Sequence, residues 1–255
     1  MILGLYLNEL KKKYVTIVIL HFCLHCSLFT TLQSPQKKQH FDYTQCPKNA
    51  QCSREKKLAF YMLPKMSSNL SKQESQAITE AFFYIFNLKK KSLVLPLKTY
   101  QQKSRFEKYF GFPFEGFQLG IWLINRIHSL KKGDTGFYTA INHDKHLILG
   151  TSFFQLSVLD RAIALLHEAK HSEGSKFSHI RCPNDFHFLS HRNLEANLAN
   201  TLSCDSRPDG AYGITATFLF EMIAYNLENR ELLVGKYNSE LARIIAKQPS
   251  CFFNL

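Results

Sequence analysis

The chain has 255 residues, 45% of them apolar and 20% charged, enough to bury one substantial core and too apolar for an intrinsically disordered chain. Its formal net charge of +12 favours contact with anionic surfaces such as membranes, wall polymers or acidic proteins. The lysine runs at 56–57, 89–91 and 131–132 are scattered and no zinc-finger or other nucleic-acid motif accompanies them, so no nucleic-acid partner is expected.

Lys11, Lys12 and Lys13 precede an uncharged apolar run from Tyr14 to Cys26, the order of a charged n-region and an apolar h-region. That run is shorter than the roughly 20 residues a spanning helix needs. Residues 1–31 are therefore expected to be a signal peptide or N-terminal anchor. The protein is then exported: periplasmic, secreted, or held at a membrane by this segment and its basic charge. Residues 32–60 form a polar, lysine-rich arm that carries Cys46 and Cys52, and residues 61–255 form one domain. In an oxidising compartment the expected disulfides are Cys46–Cys52 and Cys182–Cys204, because each closes a local loop.

Within the domain, Ala77, Ile78, Ala81, Phe82, Ile85 and Phe86 recur at helical spacing and predict a helix over 70–90. Phe117, Ile121, Ile124 and Ile127 predict a second over 111–130. A hairpin follows, with strands over 136–141 and 146–150 joined by the polar turn Asn142-His143-Asp144-Lys145, and Thr151-Ser-Phe-Phe continues the strand pattern. Ser157, with Asp160 three residues on, caps a helix that runs through Val158, Leu159, Ala162, Ile163, Leu165 and Leu166 and stops near Gly174. Residues 175–210 are loop-rich with a short helical candidate over 192–202, a long helix covers 214–227, and a last one lies around 239–246. The expected fold class is α+β and predominantly helical.

His167-Glu168-Ala169-Lys170-His171 is an HExxH sequence. Side chains four apart lie on one helical face, so two imidazoles can share one zinc ion while Glu168 stands beside its open position. The motif resembles the active-site helix of the zincin metallopeptidases. The resemblance covers roughly residues 136–227 and implies a small mixed sheet packed on the HExxH helix, with an edge strand lining the substrate cleft. It also implies Zn2+ as cofactor, a protein or peptide substrate, and hydrolysis by zinc-activated water with Glu168 as general base.

Such a site needs a third protein ligand, and three positions offer one. Gly174 stands three residues after His171, as in HExxHxxG, and His179 follows two residues beyond the metzincin position, which here is Phe177. Asp209-Gly-Ala-Tyr212-Gly213 resembles the Asp-x-x-Tyr-Gly ending of the aspzincins, the deuterolysin and lysine-specific metallo-endopeptidase group, although it lies much farther from the second His. That resemblance implies Asp209 as metal ligand and Tyr212 as an oxyanion donor; Asp205, beside Cys204, stands open to the same role. Glu195 is the gluzincin-like option, on a following helix. The expected function is an exported zinc metallopeptidase. The alternatives are a non-catalytic zinc-stabilised surface or binding module, and a metal-free basic protein associated with membranes.

Overall fold

A short parallel ladder starts the sheet. β1 (Lys65–Met66) pairs with β2 (Ser129–Lys132), and β2 pairs in parallel with β4 (His146–Leu149) through the full register Ser129↔His146 to Lys132↔Leu149. β3 (Ala140–His143) lies antiparallel on the far side of β4, giving the order β1-β2-β4-β3 with β3 at an edge. The computed structural model describes residues 62–189 and 195–245. The expected export segment, the arm and the Cys46–Cys52 bridge lie outside them. Among the described residues the protein is α+β, about half helical, with this small mixed sheet. No helix of the described residues is long and apolar enough to cross a membrane.

The hairpin is present where its turn residues put it. Asp144 and Lys145 both take positive φ, at 48° and 69°, which a two-residue turn needs to follow the twist of its strands. β3 begins at Ala140 rather than at 136, because Gly136 sits at φ +58° and the Thr135 hydroxyl donates to Tyr138 O, folding residues 135–138 into a turn. The expected strand over Thr151-Ser-Phe-Phe is instead a helical turn, α5 (Thr151–Gln155), which buries Phe153 completely. A run that short carries no period able to separate the two conformations.

Two helices precede the hairpin at the expected places but within tighter limits. α1 (Lys72–Phe86) starts from a reciprocal capping box between Ser71 and Glu74 and buries Ile78, Ala81, Phe82, Ile85 and Phe86. α4 (Gly116–Ile124) starts where the Glu115 carboxylate accepts from the N–H groups of Phe117 and Gln118, and ends before β2. Two short helices between them, α2 (Leu97–Lys103) and α3 (Phe106–Phe110), have no clear apolar period in the sequence; α3 buries only Phe106 and Phe110.

α6 (Val158–His171) carries the HExxH residues and packs against α1 and β3. α7 (Ala211–Ala224) is buried at every position and lies between α6 and α8 (Arg230–Ala242). A helix buried all round and mostly apolar is a core helix, and its ends cannot be placed from a stripe: α7 starts three residues before the expected Ile214. α8 starts nine residues before the expected Ser239, at Arg230, behind the N-cap Asn229, whose side chain accepts from Leu232 N.

The short helix expected over 192–202 is replaced by strands. β7 (Glu195–Asn197) pairs with β6 (His187–Leu189), and β8 (Leu202–Cys204) pairs with β5 (Ile180–Arg181). Asn200 at φ +61° interrupts any helix there. The Cys182–Cys204 disulfide, expected from the local loop it closes, fastens β5 to β8.

Candidate metal centre

α6 is built to hold one face inward. Ser157 Oγ accepts from Asp160 N at 3.1 Å, and Leu159, Ala162, Leu165, Leu166 and Ala169 fill the core side. His167 and His171, one turn apart, bring their rings to 5.1 Å between centroids. After Ser172 the chain must reverse. Gly174 does this at φ +110°, a 3-10 turn follows at Ser175–Phe177, and His179 returns to the helix. Its Nε2 lies 2.9 Å from His167 Nε2, and its ring lies 4.9 Å from His167 and 4.6 Å from His171.

The three histidines each offer a ligand atom, and these atoms lie within 4.8 Å of one another. Hydrogen bonds on the far sides of two rings decide which nitrogen faces inward. His171 Nδ1 lies 2.8 Å from Phe177 O, and a carbonyl can only accept, so Nδ1 holds the proton and Nε2 keeps its lone pair. His179 Nδ1 lies 2.8 Å from Asp205 Oδ1, which gives the same tautomer. The short Nε2–Nε2 contact then has His167 donating to His179. A divalent cation in the cluster displaces that one proton.

Burial reinforces neutrality. Desolvation, with the neighbouring histidines, holds His167 well below its usual 6.5 and His171 down to about 4. Glu168 is 9% exposed, and burial pushes its carboxyl up to about 8. A nearby dication acts in the opposite sense and favours the carboxylate. Asn142 of β3 donates from Nδ2 to Glu168 O and to Ser172 Oγ, at 2.5 and 2.7 Å, so the sheet edge is tied alongside the HExxH helix.

Asp205 organises the rest. It is 2% exposed, and its second oxygen accepts from Tyr212 N at 2.8 Å, so one carboxylate fixes both His179 and the first turn of α7. The backbone of Asp205 pairs with the segment after α8, through Asp205 N to Arg243 O and Ile245 N to Asp205 O. Tyr212 stacks on His179 at 4.8 Å and 22° and meets the edge of His167 at 4.7 Å. Burial pushes its phenol up to about 12. Gly213 is required here, since a Cβ would lie 1.9 Å from Pro208 O.

The expected residues therefore divide. His167, His171, His179 and Tyr212 come together, and Glu168 follows His167 on α6 with its side chain buried. Asp209, the alternative third ligand, is not in the cluster: its carboxylate is held by Arg207 through Nε and Nη2 at 2.9 and 3.0 Å. Asp205 bonds the back of His179 instead of joining the three nitrogens. Glu195 stands in β7, a strand and not the helix expected for it. Arg243 and Asn142 had no signal in the sequence, because each reaches the site through tertiary packing. No family model, curated protein or solved structure matches the chain.

Proposed function

We propose that the chain is an exported zinc metallopeptidase, with His167, His171 and His179 as metal ligands, Glu168 as general base and Tyr212 as oxyanion donor. One observation carries this reading. Three imidazoles converge, and two of them are held from behind by acceptors that turn their Nε2 lone pairs inward. Three neutral nitrogens suit zinc and leave a fourth position open, the ligand count of catalytic sites. Bound zinc supplies Lewis acidity that makes water nucleophilic near neutral pH.

The remaining chemistry belongs to this chain. Glu168, next to His167 and in low-dielectric surroundings, takes the proton from the attacking water and returns it to the leaving amine nitrogen. The Tyr212 hydroxyl donates to the oxygen on which negative charge develops. β3 is the edge strand tied to the HExxH helix, which suits an extended peptide aligned along it. The arrangement supports a zincin-like fold, and the Cys182–Cys204 bridge supports an oxidising destination.

The test is peptide hydrolysis by the zinc-loaded protein beside Glu168→Gln. The reading expects cleavage by the first and a loss of at least about 100-fold in the second, with zinc content unchanged. Equal cleavage by both proteins would refute it.

A further inference from the structure

The last turn of α8 is fastened to the second turn of α7. The Thr215 hydroxyl bonds the Glu240 carboxylate, and Arg243, three residues on, acts electrostatically on that same carboxylate. Backbone bonds on both sides of Asp205 then fix where residue 243 sits. From there Arg243 Nη1 donates to the Tyr212 hydroxyl oxygen at 2.8 Å, with the guanidinium carbon 4.8 Å from the centre of the Tyr212 ring.

A phenol oxygen has one proton of its own. A guanidinium has only donors and keeps its charge at any working pH. The proton between these two groups is therefore always the arginine's, and the Tyr212 proton must point elsewhere. The ring cannot swing to change this, because it is 6% exposed and packed against His179 and His167. A charge-assisted bond into the oxygen also polarises the O–H and strengthens it as a donor.

We propose that Arg243 is a positioning residue that turns the Tyr212 hydroxyl proton toward the open metal position, so that Tyr212 is a pre-oriented donor to the substrate oxygen. This deepens the metallopeptidase reading and rests on it. It also gives the C-terminal segment after α8 a part in the reaction.

The experiment uses the protein loaded with Co2+, whose visible spectrum reports ligands at the open position, titrated with acetohydroxamate. Wild type, Arg243→Ala, Arg243→Lys, Tyr212→Phe and the Arg243→Ala/Tyr212→Phe double variant are compared. The expected result is about tenfold weaker acetohydroxamate binding in each of Arg243→Ala and Tyr212→Phe, with the double variant no weaker than Tyr212→Phe alone. Arg243→Lys restores part of the loss, and Co2+ affinity stays within about twofold throughout. Additive losses in the double variant, an unchanged constant in Arg243→Ala, or a parallel fall in Co2+ affinity would each overturn the proposal. A wild type that takes up no Co2+ would remove the metal reading and this inference together, whereas Co2+ binding without coupling removes the inference alone.

Discussion

Replacing Asp205 with Asn changes one atom of a buried carboxylate and leaves its shape intact, yet the structure leaves no good place for the new amide. Two donors face this side chain, His179 Nδ1–H and Tyr212 N–H, each at 2.8 Å. A carboxylate accepts from both. An amide has one acceptor oxygen, so its NH2 must oppose one of the two donors. If it faces Tyr212 N, a buried backbone donor is left unpaired, at about 1–3 kcal/mol. If it faces His179, the ring must take the other tautomer, which places a proton on the Nε2 now pointing at His167. Either way zinc affinity falls by roughly 10–100-fold, the range for residues that orient a metal-bound histidine. Competition titration against a chromophoric zinc chelator measures it, with Asp209→Asn as the control. Asp209 binds Arg207 and stands outside the cluster, so its substitution changes affinity by less than about twofold. Wild-type zinc affinity in Asp205→Asn, or a loss confined to Asp209→Asn, would refute the assignment of Asp205 to His179 and restore Asp209 as a ligand.

Nitrogen NMR of the chelated protein is expected to show His171 as the neutral Nδ1–H tautomer at pH 6, titrating near 4. Because this folded value lies below the ordinary 6.5, the unfolded chain binds the proton more readily, and the stability His171 contributes is full above 6.5 and is lost as pH falls through about 4. A midpoint at 6.5 would contradict the burial argument. Converting Cys182 and Cys204 to Ser removes a link across a sequence separation of 22, at about 3 kcal/mol of stability, and lowers zinc affinity as well. His179 and Asp205 flank the two half-cystines, so a variant destabilised with zinc affinity intact would sever that connection. Gly213→Ala is expected to lower the melting temperature by roughly 3–10 °C and to weaken acetohydroxamate binding, because the methyl drives the Tyr212 turn away from Pro208. Wild-type melting would show that the first turn of α7 has slack.

The parts of the molecule legible in its sequence are those set by local rules. The apolar spacing of α1, the α6 cap, the Asp144-Lys145 turn and the spacing of His167 from His171 each depend on residues within a few positions of one another. His179 was legible for the same reason: Gly174 and the short return from the helix limit what can come back to His167 and His171. The Asp209 reading followed a motif that was matched in residue type but displaced along the chain. Its carboxylate found Arg207 two residues away, while Asp205, next to a half-cystine, was held in place by the disulfide and by the segment after α8. The strands over 195–197 and 202–204 were missed because pairing with β6 and β5 outweighs local propensity. Arg243 lies 31 residues from Tyr212, and nothing between them signals the contact.

The central claim is that three histidines hold one zinc ion and leave room for water. X-ray absorption at the zinc edge, on the protein carrying one equivalent of zinc, tests it directly. The account predicts three imidazole nitrogens at about 2.0–2.1 Å and one further light ligand from solvent, with a ring signature that weakens by one imidazole in His179→Ala. A shell closed by a fourth protein ligand would mark a structural zinc module. Zinc with no imidazole in its shell would contradict the account outright.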